Sequence, residues 1–140
     1  MDAEECRRAR IVLFGQSWGG AAAIATARDL NRLGVPVLLT VQVDSVGAHD
    51  GVIPPNVAAA VNFYQHDPMT IRGRASIRAA DPTRTKILGS FQSSYIWRSV
   101  DRSQAAWARR TLGGSHAKME LDPEIWLRVG RYIGNALLER

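Results

Sequence analysis

Between Arg10 and Asp44 the chain sets down three segments in an order that few folds accommodate. Arg10-Ile11-Val12-Leu13-Phe14 is a short apolar run closed by Gly15, the signature of a fully buried strand in a parallel sheet. Residues 18–33 follow with Ala21, Ala22, Ala23, Ile24, Ala25 and Ala27, then Leu30 and Leu33. Alanine is the best helix former, and small side chains let a helix lie close to a sheet. Gly34 is placed to cap that helix and Pro36 blocks its continuation. Val35–Val43 is a second β-branched run ending at Asp44. Strand, tight turn, helix and strand in so short a span make a βαβ unit, which predicts a parallel pair with a right-handed crossover.

The rest of the chain carries weaker patterns. Residues 2–9 resemble the end of a polar helix, and residues 46–56, with Gly47, Gly51, Pro54 and Pro55, a loop. Val57–Tyr64 predicts a short helix running into a strand. Residues 65–86 are polar and loop-like, with short strands expected near Ile71 and Ile77, and Lys86-Ile87-Leu88-Gly89 predicts one more. A helix is expected over 102–110 and a loop at Gly113-Gly114-Ser115-His116. Asp122-Pro123-Glu124 opens a final helix to about Leu138: Asp122 caps it, Pro123 suits the first turn, and Ile125, Trp126, Val129, Ile133 and Leu137 form an apolar stripe.

Composition narrows the class. The 140 residues suit one domain, 1–140, with an ordinary globular balance of 46% hydrophobic and 22% charged residues. The net charge of +5 would suit an anionic partner. Its arginines are scattered (Arg7, Arg8, Arg10, Arg72, Arg74, Arg78, Arg109, Arg110, Arg131), without a nucleic-acid motif, so solvated helix faces account for them and no nucleic acid is expected. The lone Cys6 excludes an internal disulfide and a cysteine metal cluster, and fits a reducing cytoplasm. Met1-Asp2-Ala3-Glu4-Glu5 is no secretory leader, leaving an exported parent with its leader outside this chain as the alternative. No apolar run reaches the roughly 18 residues of a membrane span.

The chemistry centres on Gly15-Gln16-Ser17-Trp18-Gly19. Gly-x-Ser-x-Gly is a short pattern, but here it follows an apolar strand and opens a small-residue helix, the context a nucleophilic serine needs. The serine must sit on a sharp strand-to-helix turn, where side chains two positions either side would collide with their neighbours; hence Gly15 and Gly19. The helix start aims free N–H groups at the site, and the Trp18 N–H is placed to donate to an oxyanion. The competing reading is a glycine turn in another α/β fold, with Ser17 only capping the helix.

A serine nucleophile requires a base, and the base an orienting acid. Of three histidines, His49 lies in a Gly/Pro-rich loop soon after a strand and His66 close to a strand end. His116 comes late and just before the last helix, matching the order serine, acid, histidine. Asp44 ends the strand after the serine helix, where catalytic groups of parallel sheets collect. Asp67, after the next candidate strand, is the alternative acid; Asp81 and Asp101 sit among polar loop residues.

With Ile11–Ala27 and its Gly-Gln-Ser-Trp-Gly turn, Val41-Gln42-Val43-Asp44-Ser45, and Ser115-His116, the sequence resembles an α/β-hydrolase of the lipase/thioesterase type. Thioesterase domains similarly place an Asp-Ser pair after this strand, whereas many other hydrolases place the acid one strand later. The resemblance implies a partial α/β-hydrolase fold, a mainly parallel sheet with a nucleophile elbow. It implies a serine hydrolase that cleaves a small-molecule or lipid ester or thioester through Ser17, His116 and Asp44. It implies no metal or organic cofactor, and Tyr95, Trp97 and Trp107 become candidates for an apolar wall within a partial lid over residues 65–115, with core packing the expected role of at least one of them.

The family carries several strands and a helix before its elbow, and a second oxyanion donor on an early loop. Here the elbow strand opens near residue 10, so the resemblance covers the carboxyl-terminal half of the fold. A truncated product, a start at an internal methionine and a shortened fold that pairs with another chain all fit. A buried strand left at an open edge predicts homodimerisation or poor solubility. The alternative function is a weak or inactive hydrolase remnant serving as an interaction domain.

Overall fold

The computed structural model describes residues 3–103 and 114–139. The expected helix over 102–110 and the wall candidate Trp107 fall largely or wholly outside these residues. In chain order the elements are α1 (Ala3–Arg8), β1 (Val12–Gln16), α2 (Trp18–Arg32), β2 (Val37–Val43), β3 (Val52–Ile53), β4 (Val57–Gln65), β5 (Arg78–Ala79), β6 (Lys86–Ser93), α3 (Gly114–Glu120) and α4 (Pro123–Leu138). The class is α/β: β1, β2, β4 and β6 form a sheet in that order, with every neighbouring pair parallel. β3 and β5 form a separate parallel pair.

Period-two alternation sorts the apolar side chains of the sheet onto two faces. Val61 belongs to a cluster with Leu39, Val41, Val43, Phe63, Met119, Ile125 and Val129, while its neighbour Ala60 joins Ile24, Ala27 and Ile53; Val37 and Val57, at the starts of their strands, also belong to this second cluster although they share the parity of Leu39 and Val61. Helix α2 therefore fills one face through Ile24 and Ala27, and α3 and α4 fill the other through Met119, Ile125 and Val129. Each large side chain so buried stabilises the fold by about 1.5–3 kcal/mol relative to exposure.

The helix ends follow from local chemistry. Past α2, Gly34 takes φ +69°, and the N–H groups of Gly34 and Val35 donate to the carbonyls of Asn31 and Leu30, a Schellman stop. Asp122 caps α4 by accepting from the Glu124 N–H at 3.0 Å. At the other end of α4, the Arg10 guanidinium donates to the carbonyls of Ala136, Leu137 and Glu139. Carbonyls at a helix's carboxyl end are left over by the helical pattern, and a cation suits the negative end of the helix dipole.

Five expectations change. The loop expected over 46–56 contains the short strand β3, because Val52 and Ile53 pair with Arg78 and Ala79. β1 is an edge strand rather than a fully buried one, with Phe14 55% exposed, because only β2 pairs with it among the described residues. Val57–Tyr64 is strand throughout, with no helical turn at its start. Its three alanines favour a helix, but backbone pairing with β2 on one side and β6 on the other outweighs propensity. No strand forms at Ile71; the one expected near Ile77 is β5. His116 lies in helix α3 instead of a loop, since the helix begins at Gly114.

Candidate active site

The carboxyl ends of β1, β2 and β4 deliver Ser17, Asp44 and Gln65 to one edge of the sheet. Ser17 joins β1 to α2 with φ +56° and ψ −124°, a strained conformation for a residue with a side chain. Backbone bonds hold it there: its N–H donates to the Val43 carbonyl at 2.9 Å, and its carbonyl accepts from Gly20 and Val46. The Ser17 side chain makes no capping bond to α2. Its hydroxyl is instead 3.0 Å from His116 Nε2, so the helix-cap reading does not describe what the side chain does.

The space around this turn explains which glycines it requires. A Cβ on Gly15 would lie 2.2 Å from the Gly19 carbonyl group, and one on Gly20 would lie 2.7 Å from the Ser45 side chain. At Gly19 nothing lies within 4 Å. The second obligatory small residue is therefore Gly20, not Gly19 as the motif suggests, because the close approach is made by the Asp44-Ser45 segment after β2.

His116 is nearly buried on α3, and its two ring nitrogens face different partners. Nδ1 lies 2.6 Å from Asp44 Oδ2, and Nε2 lies 3.0 Å from Ser17 Oγ. With Nδ1–H donating to the carboxylate, the neutral ring presents a bare Nε2 to the serine hydroxyl. The Gln16 side-chain amide nitrogen lies 3.4 Å from the same Nε2.

Asp44 is fully buried, with φ +44°. Besides His116, its Oδ2 accepts from Gln65 Nε2 at 2.8 Å, and its Oδ1 accepts from the N–H groups of Gly73 (2.9 Å) and Gln65 (3.3 Å). Four N–H groups thus converge on two oxygens that, in a carboxylate, only accept. Gln65 is itself buried and bonded at both ends of its amide: the nitrogen also donates to the Ile71 carbonyl, and the oxygen accepts from the Asp67 N–H. Gly73 packs so tightly that a Cβ would lie 2.2 Å from Asp44 Oδ1. Neither Gln65 nor Gly73 stood out in the sequence. A glutamine closing a strand and a glycine in a polar loop gain meaning only when the loop folds back over Asp44.

Asp67 is not the carboxylate on His116 Nδ1, which Asp44 meets. The Asp67 carboxylate accepts from the Ser94 hydroxyl at 2.7 Å and the Tyr95 N–H at 2.6 Å. Burial pushes this carboxyl up, but hydrogen bonds from Ser115, the Tyr95 N–H and Ser94, with Lys118 nearby, outweigh burial and hold it below the ordinary aspartate range. Asp67 thereby ties the loop after β4 to the segment after β6. Asp81 and Asp101 cap turns through Thr83 and Ser103. His49 and His66 are exposed; the His66 ring lies edge-on to Tyr64.

The remaining candidates separate by burial. Trp18 is 78% exposed beside Ser17, at the first turn of α2. Trp97 is 97% exposed, whereas Tyr95 is a core residue whose hydroxyl donates to Asp122 at 2.7 Å. Tyr95 is therefore no pocket wall. Ser45 does not face the serine either: its hydroxyl donates to the buried Asp50, which also pairs with Arg74. Among the described residues no group of His, Cys, Asp or Glu could hold a metal ion, and no helix is long and apolar enough to cross a membrane.

No family model, no curated protein and no solved structure matches the chain.

Proposed function

We propose that the chain is a serine hydrolase that cleaves an ester or thioester through Ser17, His116 and Asp44. The observation that carries this reading is the His116 ring bridging Asp44 at 2.6 Å and Ser17 at 3.0 Å. Both lie within the range a nucleophile–base–acid relay requires. Ser17 Oγ attacks the acyl carbonyl as its proton passes to His116 Nε2. That proton then leaves with the alcohol or thiol, giving an acyl-enzyme. Water, deprotonated by the same nitrogen, releases the acid and returns the proton to Ser17. Asp44 holds the tautomer and faces the imidazolium that forms. The Trp18 N–H, at the first turn of α2, donates to the oxyanion. The turn at Ser17 acts as a nucleophile elbow, and the resemblance to lipase/thioesterase-type α/β-hydrolases rests on this turn and on the order serine, aspartate, histidine.

The test is turnover of short p-nitrophenyl esters and acyl thioesters by the purified chain beside Ser17→Ala. Hydrolysis that disappears in the variant supports the reading; equal rates in both refute it.

The second reading is an inactive interaction domain that keeps the turn as architecture. It draws on the outer edge of β1 and on exposed Phe14, a surface suited to pairing with another strand. A folded chain whose serine is inert would favour it.

A further inference from the structure

The relay leaves one contact unused, that between Gln16 and the nitrogen that carries the proton. Gln16 ends β1 and is half-buried, and its amide nitrogen lies 3.4 Å from His116 Nε2. The amide's orientation follows from the ring. Asp44 engages Nδ1–H, so Nε2 is an acceptor in the neutral imidazole, and only the NH₂ end of Gln16 can face it favourably.

In the resting site this donor is redundant, because the Ser17 hydroxyl at 3.0 Å already donates to Nε2. Acylation changes that. Once Ser17 Oγ is esterified it has no proton to give, and Nε2 loses its nearer partner just when it must accept a proton from water. From these contacts we infer that Gln16 is a positioning residue for deacylation, its N–H holding the His116 ring in register while Ser17 is acylated. At 3.4 Å the bond is long and yields readily to an incoming water. Water then attacks the acyl carbon, its proton goes to Nε2, the bond between the acyl carbon and Ser17 Oγ breaks, and the proton returns to Oγ. The inference rests on the hydrolase reading and adds to it a division of labour. Ser17 orients the base for the first half-reaction, and Gln16 orients it for the second.

Stopped-flow hydrolysis of p-nitrophenyl acetate separates the halves, with the burst reporting acylation and the steady phase deacylation. Two variants are compared with the unsubstituted chain: Gln16→Met, which keeps the length, and Gln16→Glu, which keeps the shape but loses the N–H. In both, deacylation should slow about three- to tenfold, the kinetic equivalent of one neutral hydrogen bond, with the burst rate little changed. Intact mass should show more acetyl-enzyme in the steady state. Equal slowing of both phases would reduce Gln16 to a packing role, and full deacylation in Gln16→Glu would remove the donor role; either result overturns the inference while leaving the hydrolase reading intact. Absence of burst and turnover in the unsubstituted, folded chain would overturn both.

Discussion

His116 Nδ1 lies 2.6 Å from Asp44 Oδ2, although the two residues sit on different elements and are 72 positions apart in the chain. Asp44 is fully buried, with a left-handed backbone and a full set of donors. Its replacement by asparagine keeps the shape but offers Nδ1 an amide. That either misorients the ring or selects the tautomer with a protonated Nε2. Asp44→Asn is predicted to lower kcat by on the order of 10⁴ with a smaller change in KM. Ester turnover measures this; a loss below about tenfold would show that Asp44 does not orient His116.

Gln65 acts one contact further out. Replacing it by leucine removes the 2.8 Å bond to Asp44 and strands the Ile71 carbonyl and the Asp67 N–H. The expected result is a stability loss of about 1–3 kcal/mol in urea titration, from buried polar groups left unpaired. It should be accompanied by a roughly tenfold or greater fall in kcat through the freed carboxylate. Unchanged stability would contradict the placement of Gln65 in the buried network.

The two glycines of the serine motif should respond differently. Gly15→Ala forces a Cβ to within 2.2 Å of the Gly19 backbone, where nothing can move cheaply. A destabilisation of about 1–3 kcal/mol or more is expected. Gly19→Ala meets open space within a helix. It should be neutral or stabilising by up to about 1 kcal/mol, as glycine is the poorer helix former. Thermal melts of the two variants decide the point, and equal losses would contradict it.

Asp67 sets a pH dependence. Its carboxyl titrates lower in the folded chain than in the unfolded one. Its stabilising contribution is therefore full above the unfolded value, near 3.9. It is lost as the pH falls through the lower, folded value. Asp67→Asn should destabilise the chain at pH 7 and cost progressively less toward pH 3. Urea titrations at both values check this; a penalty that does not shrink with acid would assign Asp67's role to shape alone.

The βαβ unit was legible because its signals are local: β-branched runs, an alanine-rich helix, and Gly34 with Pro36 as punctuation. The same holds for Asp122 and Pro123 at the start of α4. The approach of Ser17 and Asp44 follows from the parallel sheet, which gathers its strand ends at one edge; His116 reaches them from helix α3. What escaped depends on tertiary contact. Val57–Tyr64 contains three alanines, and only pairing on both sides makes it a strand. Gly20 reads in the sequence as an extension of the small-residue surface, but that Ser45 comes back against it is visible only in the fold, as is the closing of Gly73's loop over Asp44. Gln65 carries no periodic or motif signal, yet with Gly73 it joins Asp44 to the loop beyond β4.

The central claim is that Ser17 is activated by His116. The most direct measurement is labelling of the purified chain with a fluorophosphonate probe, read by intact mass, with Ser17→Ala and His116→Ala alongside and folding checked by circular dichroism. The account predicts one probe per folded chain, no label in Ser17→Ala, and almost none in His116→Ala. A well-folded chain that takes up no probe, or one labelled equally well without His116, would contradict it.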